Sequence, residues 1–188
     1  MVFVPDYPIR SERLLLRPLR ERDYEAFHAL HSDPDVARYL YHEPHDRTAT
    51  SELMSERLPL VEIEYEGDRL SLAMELTETG AMVGQCTLFY KSEEHQQGEI
   101  GYLLQPQYWG KGYASEASIE LLRLGFDGMK LHRIVARCDA RNAGSAGVMA
   151  KIGMRLEAHL VENEFVKGEW TDELVYAMLV TEWDKLAR

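Results

Sequence analysis

The sequence predicts a single α/β domain over residues 1–188, built on a mixed, mostly antiparallel sheet of about seven strands with flanking helices. Before position 60, apolar residues recur at helical spacing, whereas beyond position 70 they alternate in strand-like runs. A strand, helix, strand order follows in the middle of the chain, between segments arranged as hairpins. The sequence contains no internal repeat, low-complexity tract or long linker, and one domain is therefore expected.

The N-terminal third is predicted to be mainly helical. Asp33 followed by Pro34 is typical of a helix start, because aspartate caps free N–H groups and proline fits the first helical position. Residues 61–66 alternate apolar and acidic side chains, which fits either a strand or an exposed linker. The predicted elements are a strand at Glu12–Arg17 and helices at Glu21–His31, Asp33–Leu40 and Thr48–Leu58.

The remaining residues are predicted to form two hairpins around a strand–helix–strand unit. Turn residues at 77–80 join the first hairpin, and Gly168 joins the last one. A helical apolar stripe begins after Gly112. The predicted strands are Leu70–Leu76, Met82–Tyr90, Glu99–Leu104, His132–Cys138, Met154–Lys167 and Thr171–Val180, and the predicted helices are Gly112–Gly128 and Ala143–Ile152.

Composition narrows the classes of function. A net charge of −11 disfavours nucleic acid and anionic membranes as partners and favours cationic molecules. No apolar run approaches the roughly 20 residues of a membrane span, and the first residues lack a secretory pattern, so a cytoplasmic location is expected. Cys86 and Cys138 are expected to be free thiols. Neither has a metal-ligand neighbour at useful spacing, and no metal is expected.

Residues 107–114, Gln-Tyr-Trp-Gly-Lys-Gly-Tyr-Ala, lie between a predicted strand and a predicted helix. Gly110 and Gly112 let the backbone turn sharply, so that successive N–H groups and the positive end of the helix dipole point at an anion. The segment therefore predicts a pyrophosphate site made mainly from backbone. A Walker loop does not match, a dinucleotide-binding turn would be expected nearer the start of a parallel domain, and a simple glycine helix cap remains an alternative.

Several motifs in one order resemble the GCN5-related N-acetyltransferase (GNAT) superfamily. The Q-x-x-G-x-G motif at residues 107–112 resembles its coenzyme loop, and E-I-G-Y at 99–102 resembles the strand lining its coenzyme cleft. N-x-x-S at 142–145 and K-I-G-M at 151–154 resemble its ribosomal-protein-alanine N-acetyltransferase (RimJ/RimL-like) branch, with Met154 where phenylalanine is common. The likeness runs from about residue 10 to residue 186.

This resemblance implies the GNAT fold, in which two central parallel strands splay apart and the pantetheine arm of acetyl-CoA inserts between them. Those strands would be Glu99–Leu104 and His132–Cys138. It also implies direct attack by a primary amine, with the α-amine of a protein or peptide N-terminus as the leading acceptor. Deprotonating an α-amine at pH 7 costs about 1 kcal/mol, against about 4.6 kcal/mol for lysine, so an α-amine needs less help from a base.

The site residues also follow from the resemblance. Glu99 is expected to act as the general base, directly or through water, or else to be an exposed strand-edge carboxylate. Ser145 is expected to assist the departing thiolate, or else to satisfy backbone donors at a helix start. A backbone N–H near Leu104 is the expected oxyanion donor. The expected coenzyme-binding residues are Leu103, Leu104, Gln105, Gln107, Tyr108, Trp109, Gly110, Lys111, Gly112, Tyr113, Ala114, Asn142 and Ser145.

The acceptor pocket is expected between residues 33–60, the turn at 77–80 and the hairpin near 165–171. Tyr102 and Tyr113 are alternative proton donors, and Asn142 is expected to orient pantetheine or to cap its helix. Two other functions stay open: acetylation of a small polycation such as a polyamine or aminoglycoside, which the acidity favours, and coenzyme binding without catalysis. The splayed sheet and the closing hairpin leave a homodimer open as well.

Overall fold

The structure is a computed structural model that describes residues 2–186, which form one eight-stranded mixed sheet with helices on both faces. The strands are β1 Ile9–Arg10, β2 Leu14–Pro18, β3 Arg69–Leu76, β4 Met82–Ser92, β5 Gln97–Leu104, β6 Arg133–Asp139, β7 Arg155–Val166 and β8 Glu169–Leu179. The helices are α1 Tyr24–His31, α2 Pro34–Ala37, α3 Arg47–Arg57, α4 Tyr113–Arg123, α5 Ala143–Lys151 and α6 Val180–Leu186. Short 3₁₀ turns at Glu21–Asp23 and Pro106–Tyr108 precede α1 and α4.

The predicted α/β class and mixed sheet are confirmed, and each of the seven predicted strands is present. The eighth strand is β1, whose two residues are too short to leave an alternating pattern. Residues 61–66 are not a strand, although Ile63 forms a single bridge to Phe3. Met1, Ala187 and Arg188 lie outside the described residues, so the outer bounds of the predicted domain remain a prediction.

The C-terminal end departs from the prediction, which continued the last strand through Val180. In the structure β8 ends at Leu179 and α6 begins at once. The carboxylate of Glu182 accepts the N–H of Leu179 at 2.7 Å, so a side chain replaces a sheet partner there. The predicted helix Gly112–Gly128 also divides into α4 and a π-helical turn at Leu124–Gly128.

The strand order is β1-β2-β3-β4-β5-β6-β8-β7, and every neighbouring pair is antiparallel except β5–β6. The parallel pairing joins Gln97 to Arg133, Gly98 to Ile134 and Glu99 to Val135. It stops there, although β5 continues to Leu104 and β6 to Asp139. The predicted central parallel pair is therefore confirmed, and its far ends leave an unpaired gap in the sheet.

The two faces of the sheet are covered differently. Ala73 and Met74 are neighbours on β3 and point to opposite faces, as alternation along a strand requires. Met74 belongs to the larger core, under α4 and α5, whereas Ala73 packs with Phe27 and Met54 beneath α1 and α3. The smaller core leaves room between the sheet and the N-terminal helices at the gap.

Candidate functional site

Two cavities meet at the gap between β5 and β6. The first has a volume of about 630 Å³ and is lined by the loop before α4 and the N-terminal turn of α5. The second has a volume of about 420 Å³ and is lined by the α1–α3 region, β4, β5 and the β7–β8 hairpin. The residues that line both are Val36, Arg38, Tyr39, Tyr102, Leu103, Arg141, Asn142 and Ser145. A ligand in one cavity can therefore reach a ligand in the other at the gap.

The loop before α4 has the geometry of an anion cradle. Gly110 and Gly112 adopt φ values of +72° and +85°, a left-handed conformation that side chains with a Cβ disfavour. The N–H of Trp109 donates to Pro106, and the first helical bond of α4 joins the N–H of Glu116 to Gly112. The N–H groups of residues 110–115 have no acceptor within residues 2–186. Six consecutive amides at a helix start suit an anion.

A contact distant in sequence braces this loop. Arg13 donates from Nη1 to the carbonyl of Lys111 at 3.0 Å and from Nε to Glu116 at 2.8 Å. Glu116 also accepts from the hydroxyl of Ser11 at 2.7 Å. Burial acts to raise the pKa of Glu116, but the hydrogen bonds from Ser11 and Arg13 outweigh it and hold that pKa below its usual range. Sequence reasoning missed Arg13, because nothing in the chain marks a partner about 100 residues away.

The residues expected to bind the coenzyme divide into two groups. Six loop residues line the first cavity, as do Ser115 and Lys151, which sequence reasoning did not single out. Gln105 and Gln107 do not line it: the amide of Gln105 is buried and donates to the carbonyls of Ala26 and Met82, and it accepts from Gln107. Lys111 lies outside the lining as well. The six loop residues are Tyr108, Trp109, Gly110, Gly112, Tyr113 and Ala114.

The backbone of β5 presents only alternate residues to the gap. The N–H of Gln105 donates to Val83 at 3.0 Å, toward β4. Because neighbouring residues of a strand direct their backbone groups to opposite sides, Leu103 also faces β4, whereas Tyr102 and Leu104 face the gap. The carbonyl of Leu104 accepts the indole N–H of Trp109 at 2.8 Å. Of the three strand residues expected to pair with pantetheine, Leu104 is the one whose free N–H points into the gap.

Tyr102, on β5, and Ser145, on α5, contact each other at the gap. The phenol of Tyr102 lies 2.9 Å from Oγ of Ser145 and donates to the carbonyl of the same residue at 3.0 Å. Asn142 caps α5 by accepting the N–H of Ser145 at 3.0 Å, one of the two roles expected for it. Burial raises the pKa of Tyr102 to about 12 and that of the neighbouring Cys138 thiol to about 11. The phenol is therefore neutral at pH 7 and able to donate a proton.

Glu99 lies in the second cavity and not in the first. Its carboxylate is 3.6 Å from Nζ of Lys91 and 3.7 Å from Nε of Arg137. Since three residues of a strand separate the Cα atoms of Glu99 and Tyr102 by about 10 Å, the structure brings Ser145 together with Tyr102 rather than with Glu99. The turn at 77–80 lines neither cavity, whereas hairpin residues from Glu164 to Glu173 line the second.

Two further carboxylates lie near Glu99. Glu173 is 4% exposed and accepts from Nη1 of Arg137 at 3.0 Å, and Glu164 accepts the phenol of Tyr41 at 2.9 Å. Burial raises the pKa of Glu173, against the opposing charge of Arg137. Sequence reasoning did not single out Glu173 on β8. It also missed Glu164, because β7 is irregular between Leu160 and Glu164 and its pattern does not show which side chains face inward.

The described residues also bear on metal, membrane and disulfide sites. Within residues 2–186 no three His, Cys, Asp or Glu side chains are arranged to hold a metal ion. The described helices include none with the length and apolar character needed to cross a bilayer. Both cysteines, Cys86 and Cys138, are free thiols.

Comparison with known proteins identifies the relatives of the chain. The model of the acetyltransferase (GNAT) domain family matches residues 13–155. An uncharacterized N-acetyltransferase of Bacillus subtilis (strain 168), YnaD, is 33% identical over 177 residues, or 94% of this chain and 99% of the relative. Spermidine N(1)-acetyltransferase of Escherichia coli (strain K12) is 26% identical over 167 residues, with 85% and 82% covered. A crystal structure of a GNAT-family acetyltransferase from Bacillus anthracis is 35% identical, covers 92% of this chain and 98% of its own, and gives a TM-score of 0.83.

Proposed function

The chain belongs to the GNAT acetyltransferase superfamily and is an acetyl-CoA-dependent N-acetyltransferase, and from this premise we propose that it acetylates the α-amine of a peptide or protein N-terminus. The observation that carries the proposal is the Tyr102–Ser145 hydrogen bond at the junction of the two cavities. Donor and acceptor molecules enter from opposite sides and meet at these two hydroxyl groups. Membership of the ribosomal-protein-alanine branch is part of the same proposal.

The first cavity suits acetyl-CoA. Six free amides in residues 110–115, together with the positive end of α4, would hold the pyrophosphate. The N–H of Leu104 would hold the thioester carbonyl and act as the oxyanion donor. When bound, acetyl-CoA supplies an activated acetyl group. The chain contributes the positioning of that group and the removal and delivery of protons.

Tyr102 is the proposed proton donor to the leaving thiolate. Its phenol is protonated at neutral pH, as an ordinary tyrosine is, and burial raises its pKa further, to about 12. The hydrogen bond with Ser145 fixes its direction. Ser145 therefore assists the departing thiolate, as expected, either directly or through Tyr102. Asn142 holds the backbone of Ser145 and with it the first turn of α5.

Glu99 is the proposed base, acting through water from the second cavity. An α-amine with a pKa near 7.8 needs only about 1 kcal/mol to lose its proton at pH 7. A carboxylate paired with Lys91 and Arg137 is therefore sufficient for an α-amine and poorly suited to lysine. This supports an N-terminal amine as the acceptor.

The second cavity supports a peptide-like acceptor because it carries charges of both signs. Its carboxylates include Glu99, Glu164 and Glu173, and its cationic side chains include Arg57 and Arg137. An acceptor with an ammonium group and carbonyl or carboxylate groups finds partners of both kinds. A polyamine is the second candidate. It is favoured by the similarity to spermidine N(1)-acetyltransferase and by the net charge of −11.

An acceptor screen tests the proposal. The purified protein is incubated with acetyl-CoA and trialanine, a serine-starting peptide, spermidine or kanamycin, and free thiol is measured. Thiol release with the peptides and acetylation of their N-termini in the mass spectrum are expected. Activity confined to spermidine would select the second candidate. Tight coenzyme binding without thiol release for any amine would contradict an acetyltransferase function.

A homodimer through β7 is the proposed assembly. This strand lies at the edge of the sheet, and large apolar side chains on the β7–β8 hairpin are exposed. Val161 is 72% exposed and Phe165 63% exposed, which is typical of an apolar patch covered by another protein surface. Light scattering is expected to give twice the chain mass, reduced to the chain mass in Val161→Asp.

A cytoplasmic location, and the absence of a nucleic-acid, membrane or metal partner, remain predictions.

A further inference from the structure

The end of the second cavity beneath α1 and α3 holds buried donor groups that lack acceptors. Arg57 and His31 line the cavity there. Both Nε and Nη1 of Arg57 are buried without a hydrogen-bond partner in the described part of the chain, and so is Nε of Arg69, which lies outside the cavity lining. No ion pair of Arg57 or Arg69 occurs within residues 2–186. The guanidinium of Arg57 in the cavity, and that of Arg69, whose charge acts on it, therefore have hydrogen-bonding capacity unused.

Such an arrangement is unfavourable without a ligand. A buried guanidinium N–H without an acceptor loses its hydration and gains nothing in exchange. Burial and the charge of Arg69 lower the pKa of Arg57, and only Glu56 acts in the opposite direction. A carboxylate placed there would satisfy the free N–H groups and neutralise the repulsion, and its two oxygens match the fork of a guanidinium.

The histidines near this end keep it free of competing negative charge. His31 is 4% exposed, and its Nε2 contacts the amide oxygen of Gln85 at 3.0 Å. The ring of His45 lies 5.9 Å from that of His31, and the ring of His42 lies 4.0 Å from that of His45. His31 and His42 thus line the second cavity together with Arg57 without adding negative charge.

Sheet register gives the distance from this end to the reaction centre. Arg69 pairs with Phe89, and Phe89 pairs with Glu99. Neighbouring strands are about 4.8 Å apart, so the region between β3 and β4 lies on the order of 10 Å across the sheet from the gap. Tyr102 lies three residues beyond Glu99 along β5, which adds about 10 Å in the perpendicular direction and gives about 14 Å in all. An extended peptide advances at most about 3.6 Å per residue, and four residues span that distance.

We propose that Arg57, backed by Arg69, binds a carboxylate of the acceptor about 14 Å from its reactive amine, so that the acceptor is a short peptide, or an N-terminus, with an anionic group near its fourth residue. The inference rests on the proposed function and narrows its substrate class. The cationic end of the second cavity then selects the acceptor, and acetyl transfer takes place at the Tyr102–Ser145 end.

The experiment compares tetraalanine with tetraalanine amide, which differ only in the carboxylate. Wild type is expected to show kcat/KM at least about tenfold higher for the free acid, because the guanidinium pairing requires the negative charge. Arg57→Met keeps the length of the side chain and should bring the two acceptors within about twofold, with KM for acetyl-CoA unchanged. Arg22→Met, an exposed arginine outside both cavities, should keep the wild-type preference. Arg57→Lys should retain part of it.

Calorimetric titration with N-acetyl-tetraalanine, the reaction product, measures binding at the same subsite without turnover. Weaker binding to Arg57→Met than to wild type supports the inference even if no amine gives thiol release, a result that would defeat the proposed function alone. Equal kcat/KM for acid and amide in wild type, or an unchanged preference in Arg57→Met, would overturn the inference while leaving acetyl transfer intact. Acetylation of spermidine but of neither peptide would overturn it as well.

Discussion

The two cavities differ in how they are built. The first is lined by two short continuous segments, residues 108–115 and 141–151, together with residues of α2 and β5. The backbone amides of residues 110–115 are free to face a ligand, and Arg13 with Glu116 braces their loop. The second is formed by side chains from α1, α3, β4, β5 and the β7–β8 hairpin, which are up to 142 residues apart between His31 and Glu173. Backbone recognition depends on local conformation, whereas side-chain recognition depends on long-range packing.

This difference in construction limits what each cavity can recognise. A cradle of amides binds any diphosphate of suitable shape and constrains few side chains, which suits a coenzyme shared by many enzymes. A cavity lined by mixed charges discriminates among acceptors, because each buried charge favours one partner and disfavours others. Substitutions on the two sides should therefore separate into effects on coenzyme affinity, effects on acceptor preference and, at the gap, effects on turnover.

The largest effect is expected at the gap. Tyr102→Phe should lower kcat by about 10²- to 10³-fold with little change in KM for acetyl-CoA, because a positioned proton donor is lost. Single-turnover thiol release measures the step, and Tyr90→Phe, on the same sheet but in neither cavity, is the control. Since the pKa of Tyr102 is about 12, its protonation should not limit the rate up to about pH 10. A fully active Tyr102→Phe beside an inactive Ser145→Ala would transfer the role to serine.

A smaller effect is expected on the acceptor side. Glu99→Gln should lower kcat/KM for an α-amine acceptor about tenfold at pH 7 and leave coenzyme affinity unchanged. The deficit should shrink as pH rises toward 9, because the free α-amine then loses its proton without help. Measuring kcat/KM against pH for both proteins checks this. A deficit that is constant over that range would mean that Glu99 binds the acceptor rather than removing its proton.

An effect of similar size is expected in the loop before α4, where a substitution should change the affinity for acetyl-CoA alone. Gly112→Ala should raise KM for acetyl-CoA about tenfold, because a left-handed conformation costs a residue with a Cβ roughly 1–2 kcal/mol. Gly80→Ala is the matched control: its φ is +71°, a Cβ there has open space, and it lines neither cavity. Both variants should lose similar thermal stability. Equal coenzyme KM values in the two would contradict the assignment of the loop to the coenzyme.

The smallest effect is expected from a substitution in the Arg13–Glu116 contact that braces the loop. Glu116→Gln should raise KM for acetyl-CoA a few-fold, because Arg13 then holds Lys111 less firmly. The pKa of Glu116 is lower in the folded state than in the unfolded one, so its contribution to stability is present above the unfolded pKa, near 4.3, and is lost as pH falls. Melting temperatures measured from pH 6 to pH 3 should therefore converge for wild type and variant. A constant difference would show that the carboxylate charge is not involved.

Short-range pattern was sufficient for most of the fold. Asp33 accepts the N–H groups of Asp35 and Val36, as its position before Pro34 predicts, and the glycine turn at Gly168 closes the last hairpin. The end of β8 was predicted one residue too late, because the carboxylate that stops it comes from Glu182, inside the next element. Alternation along a strand carries no information about such a cap.

The candidate site was predictable where it depends on residues close together in the chain. The glycine turn and its free amides depend on residues that are adjacent in the chain, and the predicted parallel strands are the pair that splays. The contact of Tyr102 with Ser145, rather than Glu99 with Ser145, required the pleat of β5 to be placed against α5. Glu173 was not predicted, and neither were Glu164 and Arg57, because an irregular strand and a weakly amphipathic helix do not reveal the inward faces on which these two lie.

The sequence by itself determined the class of fold, the order of its elements and the anion loop, since these depend on spacings of a few residues and on backbone conformations that only glycine adopts readily. Long-range contacts decided where pairing between β5 and β6 ends and which hydroxyl meets Ser145. They also left Arg57, at the far end of the second cavity, without an ion-pair partner among residues 2–186. Those features arise from contacts between segments dozens of residues apart, whose free energies depend on burial and distance that no local pattern encodes.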